Sequence, residues 1–470
     1  MIRTRFAPSP TGFIHVGNLR SAIFTYLIAK SNRDGKFVLR IEDTDRARYV
    51  EGATEVIYDT LKGCGLLWDE GPDVGGEFGP YIQSERMESY KQYAIELVEK
   101  GEAYYCFCSE ERLTGLRDIS QANKENFFYD GHCITMTKDE IAEKLANNEK
   151  YVIRQKTPKT GETSFVCQVY GKISISNDQI EDQILLKSDG YPTYNFANVV
   201  DDHLMNITHV VRGNEYLTST PKYTLLYNAF GWEEPTYVHL PHVIKENGKK
   251  LSKRDGDAYY MDFVNKGYLP EAIVNYLALL GWSPEGKKEI FTLSKLENIF
   301  SIKRIHKSPA VFDIAKLNWV NSSYIKKMTD EGIVELCLPH LKEAAIDISN
   351  DEWVTKLCIL FRDRMSYAME IVDHYNELFN NEFSIDGEAL EFMQSEDVEN
   401  TVKIFKGKLE SIEWTSENIK NAINETGVEA DTKGKLLFMP CRIATTGVMH
   451  GPDLPKALEL LGKEEILSRL

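Results

Sequence analysis

A chain of 470 residues is long for a single hydrophobic core and points to about three domains. Its 42% hydrophobic and 27% charged residues are those of an ordinary globular protein, no apolar run approaches the roughly 18 residues of a membrane span, and eight scattered cysteines are too few for a disulfide scaffold. A formal charge of −17 argues against a protein that coats nucleic acid generally, and the start Met1-Ile2-Arg3-Thr4-Arg5 lacks a signal peptide's apolar stretch, so a cytoplasmic location is the expectation.

Residues 4–7 predict a short strand, after which Pro8, Pro10 and Gly12 break the backbone into a loop. Leu19, Ala22, Ile23, Tyr26 and Leu27 then fall at i, i+3, i+4, i+7 and i+8, one apolar face of a helix. Strand, loop and helix N-terminus together make an anion site, because unpaired N–H groups and the positive end of the helix dipole converge there. His15 offers that site a donor, and Gly17 lets a ligand approach the backbone. An ordinary βα turn with a surface histidine would read the same way, and neither G-x-x-x-x-G-K-[ST] nor G-x-G-x-x-G follows the strand.

Residues 36–41 predict a buried strand that ends in Glu42-Asp43-Thr44-Asp45, carboxylates at the position where open α/β sheets bind ligands. A helix over 53–64 stops at Gly65, and the order β-α-β-α favours a doubly wound parallel sheet. Residues 90–189 change character, with helices over 90–100 and 139–147, β-rich pieces such as 151–155, and the clustered cysteines Cys106, Cys108 and Cys133. This stretch reads as an insertion between two halves of the sheet, 1–89 and 190–245. The α/β pattern resumes at Tyr191, with strands over 208–212 and 236–240 flanking a helix that has Thr218 or Ser219 as cap and Pro221 in its first turn. Lys249-Lys250-Leu251-Ser252-Lys253-Arg254-Asp255-Gly256 then gathers cations and a serine in a glycine-flanked loop, suited to phosphates and equally readable as a solvated basic turn. Residues 245–327 hold fifteen Lys/Arg against nine Asp/Glu, a basic middle in an acidic chain that suits contact with a polyanion at one place. Residues 246–329 form the loop and this basic segment, and helices with short polar breaks fill 330–470.

His15-Val16-Gly17-Asn18 and Lys250-Leu251-Ser252-Lys253-Arg254 together resemble the paired signatures of the class I aminoacyl-tRNA synthetases, written HIGH and KMSKS. The run from Pro8 to Asn18, Arg40-Ile41-Glu42-Asp43-Thr44-Asp45 and Tyr191-Pro192-Thr193-Tyr194-Asn195-Phe196-Ala197 resemble the glutamyl/glutaminyl branch. With Leu437-Phe438-Met439-Pro440 the likeness spans essentially the whole chain and is close to the bacterial-type glutamyl members.

The resemblance implies an α/β Rossmann-type catalytic domain with an α+β insertion that holds the tRNA acceptor end, followed by an all-α helical-bundle region that binds the anticodon. It implies that glutamate and ATP give glutamyl-adenylate and pyrophosphate, and that the acyl group then passes to the 3′-terminal adenosine of tRNA(Glu), or also of tRNA(Gln), releasing AMP. By the same likeness, His15 and Lys253 are catalytic, and Mg²⁺ arrives with ATP. ATP falls to Pro8, Ser9, Gly12, His15, Gly17, Asn18, Lys250, Ser252, Lys253 and Arg254. Glutamate falls to Arg5, Ala7, Ser9, Glu42, Tyr194, Asn198 and Arg212, and tRNA to Glu215 and Arg364, in a protein expected to be a monomer. A non-catalytic tRNA-binding paralogue is the competing reading, and retention of His15 and Lys253 counts against it.

Asn18 stands where the HIGH pattern ends in histidine, while Leu251 and Arg254 leave the charge of the second loop intact. Cys106, Cys108 and Cys133 offer three thiolates to Zn²⁺, which wants four ligands. Zinc-binding relatives add a histidine two places after the third cysteine or a tyrosine four places before it; here those positions are Thr135 and Tyr129, with His132 a spare. Bound zinc with Tyr129 as fourth ligand and a vestigial cluster of free thiols are the two readings.

Overall fold

Arg3–Phe6 (β1) is buried along its whole length and runs into the Pro8-to-Gly12 loop. Val16–Lys30 (α1) crosses over to Lys36–Leu39 (β2), which pairs parallel with β1 from Arg3 with Lys36 to Phe6 with Leu39. Parallel neighbours require such a crossover. The apolar stripe read for α1 is narrower than what the helix buries, since it is covered on nearly every side. Phe24, off that stripe, stands edge-on to Phe300 at 5.4 Å, so the segment around residue 300 covers a face that periodicity alone assigns to solvent. The same segment also meets the stripe itself, where the Tyr26 hydroxyl donates to Glu297 at 2.7 Å.

The computed structural model describes residues 1–45, 48–124, 127–249, 258–379 and 383–470. Lys250, Ser252, Lys253 and Arg254 lie outside the described residues. The chain divides into two compact units, Met1–Asp262 with Val274–Asp313 and Phe263–Ile273 with Ile314–Leu470.

In the first unit, Ala53–Gly63 (α2) and Met87–Glu99 (α3) lead to Ala103–Cys106 (β3), Glu110–Ala122 (α4) and Lys138–Ala146 (α5). Thr137 and Glu140 close a reciprocal capping box at the start of α5. Val152–Gln155 (β4) follows, then the hairpin Glu162–Cys167 (β5) and Gly171–Ser176 (β6), then Ile184–Leu186 (β7). Tyr194–Leu204 (α6), His209–Gly213 (β8), Thr220–Phe230 (α7) and Thr236–Leu240 (β9) complete the α/β part. Ser219 is the N-cap residue of α7 but makes no side-chain capping bond; Gly231 ends the helix at φ 74°, a conformation glycine adopts without strain.

The main sheet runs β2-β1-β8-β9-β5-β6, and β3, β4 and β7 form a separate antiparallel sheet. All neighbours in the main sheet are parallel except the β5–β6 hairpin. That hairpin comes from the 90–189 stretch yet is an edge of the main sheet, with alternate β5 residues buried as a one-sided strand requires. Strand order reverses between β1 and β8, which places a crevice beyond their carboxyl ends, and Arg5 and Arg212 sit at those ends. Phe196, Tyr223, Leu226 and Phe230 of α6 and α7 pack with Tyr90 and Leu97 of α3 and Leu185 of β7 into one core, which fixes α6 against the sheet.

The second unit is helical from Asp330–Glu343 to Lys463–Arg469, and Phe405, Leu409, Ile423, Cys441 and Leu458 form a core there. No helix among the described residues is long and apolar enough to cross a membrane.

Candidate active site

His15 is the N-cap of α1, with extended backbone at φ −69° and ψ 142°. Its Nδ1 accepts a hydrogen bond from the Gly17 N–H at 3.1 Å, which places the ring proton of the neutral imidazole on Nε2. A Cβ on Gly17 would stand 3.3 Å from that Nδ1, so glycine here leaves room for the histidine ring as well as for a ligand. Gly12, at φ 113°, lets the loop turn in a conformation that other residues rarely adopt.

Of the residues read from the sequence, Ala7, Pro8, Ser9, Gly12, His15, Asn18, Glu42 and Tyr194 line one cavity of about 230 Å³. Gly17 and Glu215 line a second of about 110 Å³, to which His15 and Asn18 also contribute. The Glu215 carboxylate lies 3.7 Å from Nδ1 of His242, and a Cβ on Gly213 would collide with it. Arg5, Asn198 and Arg212 are buried and line neither cavity, and the Asn198 amide donates to the carbonyl of Tyr194, a lining residue, at 2.8 Å.

A chain of charges joins two of these groups. Arg5 Nε donates to both oxygens of Asp202 at 2.9 and 3.1 Å; Arg40 donates to Asp202 at 2.8 Å and to Glu42 at 3.0 Å. Asp201 accepts from Gln83, Arg86 and Tyr90 at 2.7 to 2.9 Å. Buried charges survive only when paired in this way. Burial alone would lower the Arg5 pKa, and Asp202 carries it above its ordinary value. Burial lifts the Glu42 carboxyl to about 7, against the downward pull of Arg40 and Arg5.

Arg212 is built differently. It is buried, and its Nε and Nη2 donate to His239 Nε2 at 3.2 Å and Thr220 Oγ1 at 3.0 Å. The guanidinium lies over the rings of Tyr223, Tyr216 and Tyr237 at 4.4 to 5.5 Å. Arg212 has no carboxylate partner among the described residues, while Arg3, Arg5, Arg40 and Arg86 are each paired with one. Tyr216, one of the rings against the Arg212 guanidinium, also lines the first cavity, as does Tyr194 5.7 Å from it.

Arg40, Asp201, Asp202, Thr220 and His239 were given no role from sequence. Asp201-Asp202 did carry a signal: two acids on a helix turn beside Val199 and Val200, where solvent-facing charge is out of pattern.

Two further regions hold sequence-read residues. In the helical unit, Arg364 donates to the Gly451 carbonyl at 2.9 Å and lines a cavity of about 500 Å³ with Arg442, His374 and His450. In the first unit, the sulfurs of Cys106, Cys108 and Cys133 lie within 4.8 Å of one another. The Tyr129 hydroxyl is 3.4 Å from Cys106 Sγ and 3.3 Å from Cys108 Sγ. His132 is exposed and Thr135 is not part of the cluster. Hydrogen bonds from Cys133 and then from Tyr129 hold Cys106 well below the usual thiol range, and sharing that proton raises Cys133. Arg154, 4.1 Å from the centre of the Tyr129 ring, and Arg112, 3.7 Å from Cys108 Sγ, add positive charge. Three sulfurs, one already favouring the thiolate, and a phenol oxygen make a donor set that fits tetrahedral zinc.

Comparison with known proteins agrees along the whole chain. The family described as tRNA synthetases class I (E and Q), catalytic domain, matches residues 1–319, and an anticodon binding domain matches 332–470. The glutamate–tRNA ligase of Clostridium botulinum (strain Loch Maree / Type A3) is 51% identical over 476 residues, covering 100% of this chain and 97% of that protein. That of Clostridium kluyveri is 49% identical, covering 100% and 96%. The crystal structure of a glutamate–tRNA ligase from Elizabethkingia meningosepticum in complex with its amino acid superposes with a TM-score of 0.89 at 35% identity, covering 100% of this chain and 98% of that one. The chain therefore belongs to the class I aminoacyl-tRNA synthetases, in the glutamate–tRNA ligase family.

Proposed function

We propose that the protein ligates L-glutamate to the 3′ end of tRNA(Glu) at the expense of ATP. The α-carboxylate of glutamate attacks the α-phosphorus of ATP, and pyrophosphate leaves with Mg²⁺ to give the acyl-adenylate. A ribose hydroxyl of the terminal adenosine then attacks the acyl carbon and AMP leaves. Such chemistry is positioning and charge neutralisation, and it needs no enzyme nucleophile. His15, donating from Nε2, and Lys253 act on the phosphates; Glu42 receives the substrate ammonium; Arg5 and Arg212 receive its carboxylates. The observation that carries this reading is Arg212, a buried cation whose partners are all neutral, so a ligand carboxylate is the counterion it lacks. The likeness to a structure described as holding its amino acid supports the same reading.

Residues 90–189 with the cysteine cluster are assigned to the acceptor end, 246–329 to the stem, and 330–470 to the anticodon, where Arg364 belongs to the tRNA contacts. Cys106, Cys108, Cys133 and Tyr129 would hold zinc as a structural ion. ATP–pyrophosphate exchange with glutamate, run with and without tRNA, tests the first step; exchange that prefers glutamine overturns it. Charging of purified tRNA(Glu) and tRNA(Gln) in parallel decides the nucleic-acid substrate. Lys253→Ala is expected to lower the transfer rate at least ~100-fold, about 2.7 kcal/mol of barrier, and near-normal transfer removes Lys253 from its role.

A further inference from the structure

Arg212 is held on one edge. Its Nε donates to His239 Nε2 and its Nη2 to Thr220 Oγ1, leaving Nη1 to an external carboxylate. Thr220 has one hydroxyl proton, with the Tyr216 carbonyl at 2.7 Å and His239 Nε2 at 3.2 Å as its two possible acceptors; with either one, its Oγ1 keeps a lone pair for Arg212. His239 Nε2 faces the Arg212 Nε–H and must also present a lone pair, which puts the imidazole proton on Nδ1. That Nδ1 is buried without a hydrogen-bond partner, in a side chain with no solvent exposure. The ring is fixed beside Phe165 of β5 and Tyr237, with centroids about 6 Å away.

An unpartnered buried N–H is costly, and a hydrocarbon side chain at 239 would avoid that cost. What a hydrocarbon cannot do is accept from Arg212 without bringing a negative charge. Elsewhere in the site a different solution is used, since Arg5 is held by Asp202, a carboxylate that it shares with Arg40. Resting on the reading that Arg212 receives a substrate carboxylate, we infer that His239 and Thr220 are positioning residues: a neutral two-acceptor seat that orients Arg212 while leaving its charge for the substrate to neutralise. Burial and the adjoining guanidinium push the His239 pKa down to about 3, so the seat stays neutral throughout the physiological range.

The test is steady-state kinetics of glutamate-dependent ATP–pyrophosphate exchange in the presence of tRNA, with the melting temperature of each variant read alongside. His239→Leu and Thr220→Val are each expected to raise the glutamate KM at least ~10-fold with kcat within about 3-fold, as befits a lost hydrogen bond to a charged group. His239→Gln and Thr220→Ser, which keep a neutral acceptor, should hold KM within about 3-fold of the parent. His239→Glu supplies an internal counterion and should raise the glutamate KM. Unchanged KM in both His239→Leu and Thr220→Val overturns the inference, as does an equal loss in the acceptor-keeping variants. If His239→Leu does not fold, the Thr220 pair decides alone. Arg212→Ala separates the two levels: a glutamate KM that ignores Arg212 defeats the glutamate reading itself, whereas a response to Arg212 without one to His239 and Thr220 defeats only the seat.

Discussion

Glu42 has its folded-state pKa near 7, raised by burial from an ordinary value of 4.5, and an ammonium group needs it ionised. Below pH 7 the substrate must first displace a proton, so the glutamate KM should fall as pH rises from 6 to 8, and Glu42→Gln should leave a high, pH-flat KM. The sign for stability is the reverse. Because the folded pKa is raised, this group's contribution is fully present below about 4.5 and is lost as pH climbs through about 7. Saturating glutamate, which restores a partner to the ionised carboxylate, should therefore raise the melting temperature more at pH 8 than at pH 6. Equal shifts at both pH values would remove Glu42 from the ammonium site.

At the scale of elements, α1 ties the site to the core. Phe24 is fully buried, and Phe24→Ala should cost about 3–5 kcal/mol in urea denaturation. Gly17→Ala, two residues from the histidine, should instead leave stability nearly unchanged and lower the exchange rate, because the added carbon pushes on the His15 ring. These elements were legible because their signals are local: apolar spacing for α1, an apolar run closed by acids for β2, proline and glycine at the two ends of α7. The site's rim was legible through its motifs, which lie along the chain. The resemblance also named the buried Arg5, Glu42, Asn198 and Arg212, but not the buried groups that hold them. Arg5 meets Asp202 across 197 positions and His239 meets Arg212 across 27, and no periodicity encodes such pairs. The second covering of α1 and the strand partner of β5 escaped for the same reason.

Along the whole chain, basic residues are concentrated in one sequence segment of an otherwise acidic protein. Six net positive charges over residues 245–327 of a chain at −17 lead us to expect a tRNA KM that rises steeply with salt, each phosphate contact adding about 0.7–0.9 to the logarithmic slope, while the glutamate KM stays level. Purified protein should also carry about one zinc per chain by elemental analysis, reduced in Cys108→Ser; metal-free protein of normal melting temperature would leave the cysteines as plain packing. Last, the β5–β6 hairpin bears on how this architecture can be rebuilt. The stretch 90–189 looks like a cassette in sequence, but lifting it out would strip β9 of one of its two neighbours and bare one edge of the strand that carries His239. Trading this stretch between relatives therefore has to cut on either side of the hairpin, so that residues 162–176 travel with the main sheet.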